Sequence, residues 1–504
     1  MPVSFNQVPG SLRVPFFYAE INAGAAPFDQ VSKLLLIGQK LAAGSATANV
    51  PIRFRGNAVG LFGAGSMLAQ MCDIAQLNAD PLQEIWCLPV ADNGTTKAAG
   101  DFTVSSAATS IGTLSVYIAG QKVSIAVTPT MTTVQVAAAL VAAINAGDVN
   151  GKALPVLATQ GVNPNDNKCL LTALNAGTLG NKIRLETDIV GDEGPLAAIM
   201  ITPTAMSAGA TDVSLSTPLA ALGETEFDFI CTPYTDSTNV GLMTTFLNGQ
   251  TGRWSPSQQL YGVAFSAKDD TSSNLATSGS TLNDPNLTIM GYNKGSSPPW
   301  SWAAAYAAVA TRLQFASEVS RPMQTLPLLG IIGPKLLADR FTQTQRAALY
   351  VDGIASYKVL PANQVVIDRA ITTYQFDNLG AVDLSWLDVE SRFQAMFVVR
   401  YMRQKITQQH GRNALREDNP LRLPNVSTPD NIRDTIVHGY RELSNANLVE
   451  NFEAFANGLV VERNTSDPSR VDVFLPVDLV NGLRIFAVNA TFFQNIQGND
   501  LAAA

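Results

Sequence analysis

The sequence predicts an α/β protein in which one domain is split by another and an α+β domain with extended ends follows. Three observations predict it. Strand-like and helix-like stretches alternate from Lys33 to about Val90 and again from Phe227 to about Ile332, the pattern of a mainly parallel sheet with helices on its faces. Between them, from Asn93-Gly94-Thr95-Thr96 to about Leu215, the chain turns rich in Ala, Thr, Val and Gly and poor in charge. Beyond Ser385 come two long helical patterns and an apolar, extended end. The expected divisions are an N-terminal arm at 1–28, a split α/β domain at 29–97 and 216–384, an inserted β-rich domain at 98–215, a C-terminal α+β domain at 385–480 and a terminal strand or arm at 481–504. A chain of 504 residues is too long for one compact core, which agrees with several domains.

Residues 1–28 hold Pro2, Pro9, Pro15, Gly10 and Gly24, which favour an extended arm over a helix. Within the arm, Val14, Phe16, Tyr18 and Ile21 lie in a run apolar enough to pair as a strand. Leu34 to Gly38 reads as a buried strand, Ala58 to Asn78 as one helix and Glu84 to Val90 as the next strand. In the insert, Leu114, Val116 and Ile118 alternate, Ala119-Gly120-Gln121-Lys122 supplies a turn, and Val123, Ile125 and Val127 alternate again, which makes a β-hairpin. Thr132 or Thr133 caps a helix whose Val136, Leu140 and Ile144 fall four apart, and Gly147 stops it. Leu154 to Thr159, Leu170 to Leu174 and Asn181 to Glu186 follow as strands.

Past the insert, strands are expected at Phe227 to Thr232, Tyr261 to Ala267, Leu287 to Tyr292 and Pro327 to Ile332, with a helix from Trp302 to Val319. A hairpin turns at Pro361-Ala362-Asn363-Gln364. A long helix from Ser385 to Gln409 carries the stripe Val389, Phe393, Met396, Val399 and Met402. Thr428-Pro429 opens a second, with Ile432, Ile436 and Tyr440 on one side. At the end, Leu483, Ile485 and Ala487 point to one face of a strand while Phe486, Val488 and Phe492 point to or near the other. Such a segment must be covered on both sides, which a lone chain end seldom manages.

Charged residues make up 15% of the chain, well below the roughly 25% of an average soluble protein, so much of the surface is expected to be covered by partner protein. A net charge of −8 without a long basic run argues against nucleic acid, which needs clustered Lys and Arg to neutralise phosphates. Cys72, Cys87, Cys169 and Cys231 are scattered, and only His410 and His438 could join them, so no metal set is expected and the thiols read as small buried apolar groups. The start lacks a signal-peptide layout and no stretch reaches the ~18 apolar residues of a membrane span, so a soluble chain without a membrane partner is expected.

Several runs resemble contractile-tail sheath proteins, specifically those of Mu-like phages. They are Leu448-Val449-Glu450, Gly458-Leu459-Val460-Val461-Glu462-Arg463, Arg470-Val471-Asp472-Val473 and Val480-Asn481-Gly482-Leu483-Arg484 near the end. Near the start the resemblance takes in Arg13-Val14-Pro15, Tyr18, Glu20-Ile21, Leu34-Leu35-Leu36-Ile37-Gly38 and Phe62-Gly63-Ala64-Gly65-Ser66-Met67-Leu68-Ala69, and in the insert Asn175-Ala176-Gly177-Thr178-Leu179-Gly180-Asn181. The resemblance implies a subtilisin-like split domain, an insert that projects outward, and a virion subunit assembled in the host cytoplasm. That subunit would polymerise as stacked hexameric rings around a tail tube, with baseplate and tail terminator proteins as further partners, and contract to drive the tube through the host envelope. It also implies exchange of terminal arms between copies. The candidates are Val14, Phe16, Tyr18 and Ile21 at one end and Arg484, Phe486, Val488 and Phe492 at the other, with Gly24 and Gly482 as flexing points. The C-terminal domain would face the tube, with Arg400, Arg403 and Lys405 as tube-facing cations. The alternative is a solvated helix face paired internally to Asp388, Glu390 and Glu417.

A subtilisin-like fold raises the question of a protease. Ser66, Asp236 and His438 run in the order Ser, Asp, His, whereas subtilisin runs Asp, His, Ser. The Ser, Asp, His order belongs to α/β-hydrolases, which need Gly-x-Ser-x-Gly, and Leu68 stands where the second glycine belongs. Gly63-Ala64-Gly65 lacks the third glycine of a dinucleotide fingerprint and there is no phosphate loop, so no cofactor is expected. The competing readings are a hydrolase with an unrecognised site and a sheath from a headless bacteriocin or secretion machine.

Overall fold

The computed structural model describes residues 32–92, 96–188, 199–314, 316–490 and 492, which belong to one compact unit beginning at Ser32. The N-terminal arm, with Val14, Phe16, Tyr18, Ile21 and Gly24, lies outside the described residues.

The unit opens with β1 (Lys33–Lys40), whose six central residues are all buried, as an unbroken Leu/Ile run demands of a strand covered on both faces. A two-residue strand β2 (Ile52–Arg53) follows, then α1 (Ala58–Phe62), α2 (Met67–Asn78) and β3 (Glu84–Ala91). The single helix expected over Ala58 to Asn78 is thus two. Gly63 and Gly65 take φ of 92° and 74° between them, and Ser66 restarts the helix by accepting a hydrogen bond from the Ala69 N–H.

The middle of the chain forms β4 (Ala99–Val104), β5 (Gly112–Ile118), β6 (Gln121–Val127), α3 (Thr133–Ala146), β7 (Val156–Gln160), β8 (Lys168–Ala173), β9 (Leu185–Glu186) and β10 (Ile201–Ser207). They make a four-stranded antiparallel sheet in the order β10-β4-β8-β7 and a three-stranded sheet β6-β5-β9. Thr132 caps α3 in a reciprocal pair with Gln135, and Gly147 ends it. The strand expected over Asn181 to Glu186 shrinks to β9, because Thr178–Lys182 coils into a 3-10 turn.

Then come α4 (Ser216–Ala220), β11 (Phe229–Cys231), α5 (Ser237–Leu247), β12 (Val263–Asp269), α6 (Ser272–Gly279), β13 (Leu287–Tyr292), α7 (Pro299–Ala310), α8 (Ala316–Val319), α9 (Gln343–Val351), and the hairpin β14 (Ser356–Val359) with β15 (Val365–Arg369). β11 to β13 join β1 to β3 in one six-stranded sheet ordered β13-β12-β11-β1-β3-β2, parallel except for β2. The β13 border is closed by Ala355, which exchanges hydrogen bonds with Ile289 and Gly291. Consecutive buried residues along β1, β11, β12 and β13 show that both faces are covered. One cover is α7, all twelve residues of which are buried. Its six alanines permit close approach to the sheet and to α2, and Trp302 stacks on Tyr292 at 4.3 Å.

Two expectations fail here. The helix over Trp302 to Val319 breaks after Ala310 into a 3-10 turn, Thr311–Gln314, and the short α8. Pro327 to Ile332 forms no strand. Leu328 donates to Val365 and Leu326 accepts from Ile367, but Pro327 has no N–H and Gly330, at φ 76°, turns the chain away.

The remaining elements are α10 (Val389–His410), the short parallel pair β16 (Ala414–Leu415) and β17 (Val426–Ser427), α11 (Pro429–Asn445), α12 (Phe452–Gly458), and the hairpin β18 (Val460–Arg463) with β19 (Val471–Phe474). Thr428 and Asn431 close a capping box at α11. α10 serves two neighbours. Phe393 stacks on Phe229 of β11 at 4.8 Å, while the same helix packs along α11. Two partners bury more than one stripe, so Val398 is enclosed whereas Val399, expected in the core, is 43% exposed.

Candidate subunit interface

Among the described residues, the end of the chain is held to the body as far as Arg484. Asp478 accepts from the Glu450 N–H at 3.0 Å, Val480 donates to Leu448 O at 3.3 Å and accepts from Gln394 Nε2 at 3.1 Å, and Leu483 O accepts from Gln324 Nε2 at 3.1 Å. Arg484 Nη2 then donates to Glu390 Oε2 at 2.8 Å and lies 3.2 Å from Asp388 Oδ1, whose side chain also holds Arg369. Glu390 is buried in the first turn of α10 and also accepts from the Met323 N–H at 2.7 Å. Burial pushes its carboxyl above the ordinary range, an effect that Arg484 and the Met323 N–H oppose.

Residues 485–490 that follow Arg484 are all exposed. Residues 483–490 have no strand partner among the described residues, and Ile485, Phe486 and Phe492 are 81%, 82% and 93% exposed. Leu483 and Val488 are exposed too. A run of large apolar groups in water costs roughly 1.5–3 kcal/mol for each side chain left unburied, so this segment is built to be covered by something else.

The three cations expected to face a tube sit differently from one another. Arg400 is 5% exposed. Its guanidinium donates to Asp228 Oδ1 at 2.5 Å, reaches Glu226 Oε2 at 3.2 Å and lies over the Tyr261 ring. It is therefore a core residue tying α10 to the sheet, a correction to its place in that set. Arg403 is exposed, 3.9 Å from Glu226 and donating to Gln259 at 3.3 Å. Lys405 pairs with Glu442 at 2.6 Å across to α11. The acids that pair with these cations are Glu226, Asp228 and Glu442, whereas Asp388 and Glu390 serve Arg369 and Arg484. Sequence reasoning missed Asp388 and Glu390 as the partners of Arg484; the one signal was an acid in the first turn of α10, three positions before the buried Phe393.

No catalytic arrangement forms from the residues weighed for one. Ser66 is buried as the cap of α2, Asp236 caps α5 by accepting from the Asn239 N–H at 3.0 Å, and His438 lies exposed on α11 beside Glu442. His410 is hydrogen-bonded to Ser427 Oγ at 2.6 Å and Thr435 Oγ1 at 2.9 Å. A cleft of about 460 Å³ opens at the C-terminal ends of β11 and β12, where open α/β sheets hold ligands. Its acids are already committed. Asp236 caps a helix, Asp212 holds Thr178, and Asp269 accepts from the Lys294 N–H and faces Lys182 and Arg184. The four cysteines are free and buried, Cys72 and Cys87 with sulfurs 3.3 Å apart. Among the described residues no cluster of His, Cys, Asp and Glu could hold a metal ion, and no helix is long and apolar enough to cross a membrane.

A mixed α/β body whose apolar end lies uncovered among the described residues points to a class: a subunit that works through contacts with other chains. Residues 208–373 match the family model of the phage tail sheath protein central domain, and 382–493 that of the phage tail sheath C-terminal domain. The chain is 34% identical over 496 residues to the Mu-like prophage FluMu tail sheath protein of Haemophilus influenzae, covering 97% of this chain and 99% of that one. Among solved structures, the sheath tail protein of Desulfitobacterium hafniense is 13% identical with TM-score 0.47, over 92% of this chain and 97% of that one. The contracted helical sheath of the anti-feeding prophage is 12% identical with TM-score 0.48, over 96% and 100%. The chain belongs to the Mu-like contractile phage tail sheath family. It is a structural tail sheath subunit that oligomerises and contracts, with no enzymatic role, and its place is the virion tail, assembled in the host cytoplasm.

Proposed function

We propose that copies of this chain stack as hexameric rings around a tail tube, linked by both terminal arms, and that contraction drives the tube through the host envelope without nucleotide. The observation that carries this is the apolar run from Ile485 to Val488, with Phe492 beyond it, which lies exposed among the described residues. A receiving surface is available in the β18–β19 hairpin, a two-stranded sheet with exposed Val460, Val473 and Phe474. A strand added there gains main-chain hydrogen bonds and pockets for alternate side chains.

In this reading the working parts are the arms at 1–28 and 481–504, a split subtilisin-like domain at 29–97 and 216–384, an outward insert at 98–215, and a C-terminal domain at 385–480 that faces the tube. Baseplate and terminator proteins bound the polymer at its ends. The cations left for weak contact with the tube are Arg403, Arg412, Arg416 and Arg422, all exposed, together with Lys405 at the edge of that face. Exposed pairs contribute only ~0.2–1 kcal/mol each, which suits a contact that must hold register and then let go. The energy of contraction is the difference between two subunit packings, a few kcal/mol per copy summed over many copies.

The test is a chain ending at Arg484, purified and viewed by negative-stain microscopy beside the full-length protein. Hollow tubes from the full chain and none from the shortened one are expected. Tubes of equal length and number from both would refute arm linkage.

A further inference from the structure

We propose that Arg484 is the fixed end of the C-terminal arm, clamped in its own subunit by Glu390 and Asp388, so that the segment lent to a neighbour begins at Ile485. This rests on the reading that the arm is lent at all. Among the described residues, the attachments of the terminal stretch to the body fall between Asp478 and Arg484: the bonds of Asp478 to Glu450, Tyr440 and Asn451, that of Val480 to Leu448, the amides of Gln394 and Gln324 on Val480 and Leu483, and the guanidinium on its two carboxylates. Among the described residues Arg484 is the last of them and the only one that forms an ion pair. Glu390 is 3% exposed, and pulling the guanidinium out would leave its carboxylate buried without a cation, which proteins resist strongly. Tension along the arm is therefore stopped at Arg484 before it reaches the rest of the chain.

Gly482, the expected flexing point, lies on the body side of this clamp. A Cβ there would meet Pro322 Cγ at 2.7 Å, so the glycine serves close packing against the loop that also carries Met323. The pivot falls instead between the anchored Arg484 and the exposed Ile485. From Ile485 to the end 20 residues remain, with an extended reach of at most about 70 Å, enough to enter an adjoining subunit.

Trypsin tests this directly, because it must take the arginine side chain into its specificity pocket. The unassembled full-length chain, kept dilute, is digested briefly and the fragments are weighed. Cleavage after Arg484 is expected at least tenfold slower than after Arg422, which stands on an exposed loop. Glu390→Gln should raise cleavage after Arg484 at least tenfold and leave Arg422 unchanged. Equal rates at the two bonds in the wild type, or no change at Arg484 in Glu390→Gln, would overturn the proposal. If Glu390→Gln speeds both bonds, its fold is lost and Arg484→Lys decides, since one ammonium grips two carboxylates less well than a guanidinium. A threefold or greater rise at the same bond supports the clamp and an unchanged rate overturns it. The chain ending at Arg484 separates the two ideas: tubes formed by it refute lending and leave the digestion result standing, whereas a failed clamp with no tubes leaves lending intact.

Discussion

At the residue scale, Arg400 shows how far a charge can be from the role its neighbours suggest. It sits among Arg392, Arg403 and Lys405 on one helix, yet its partner Asp228 is 172 positions away and 3% exposed on its side chain. Nothing local marks that pairing, so a stripe of cations was legible in the sequence and the burial of Arg400, like that of Arg392, was not. Arg400→Ala should cost about 3–5 kcal/mol, because it strands Asp228 in the core, while Arg403→Ala should stay within about 0.5 kcal/mol. Urea unfolding of the two variants checks this, and equal midpoints would contradict it. Asp368 gives a pH handle. Burial raises its carboxyl, but Lys358, Tyr350 and Arg346 together hold it below the usual range. A carboxyl depressed in the fold lends stability above its unfolded pKa and loses it as pH falls through the folded value. Asp368→Asn should therefore destabilise at pH 7, by about 1 kcal/mol at this partly exposed site, and make little difference near pH 2. Thermal melts at both pH values would show it.

At the element scale, what the sequence revealed tracks how local the cause is. The hairpin β5–β6, the cap Thr132 and stop Gly147 of α3, and the Thr428-Pro429 start of α11 all rest on residues within a few positions, and they form where expected. The failures rest on distant partners. The α1–α2 break follows from docking against the middle sheets, since a Cβ on Gly65 would lie 2.2 Å from Leu154 O and 2.7 Å from Leu174 Cδ1. The apolar residues of α1 and α2 still fall at helical spacing, so the pattern alone reads straight through. Val399 departs from the expected stripe because it shares its side of α10 with the exposed Arg403, one turn further on. Gly65→Ala combines that collision with a positive φ, so it should lower stability by about 2 kcal/mol or more, seen as a drop in melting temperature. An unchanged melt would mean that the middle sheets move aside without cost.

At the scale of the whole molecule, the alternation of strands and helices gave the central sheet and the two-faced apolar end marked a segment in need of outside cover, while its anchorage was not legible because Glu390 and Asp388 lie more than ninety positions from Arg484. That segment is apolar past Arg484, and Arg484 itself is neutralised inside its own subunit. Links made by such an arm depend on main-chain hydrogen bonds and burial, which salt screens little. Polymers should therefore sediment alike at 0.1 M and 1 M NaCl, and dissolution at high salt would point to links made by surface charge instead.

The central sheet is sealed: its faces lie under helices, one border is occupied by Ala355, and the other is a strand of two residues. An incoming strand finds almost no vacant main chain at the heart of the molecule, so crowded copies have little means of knitting centre to centre into an open-ended plate. However many copies are made in one infected cell, their association is left to surfaces away from this sheet.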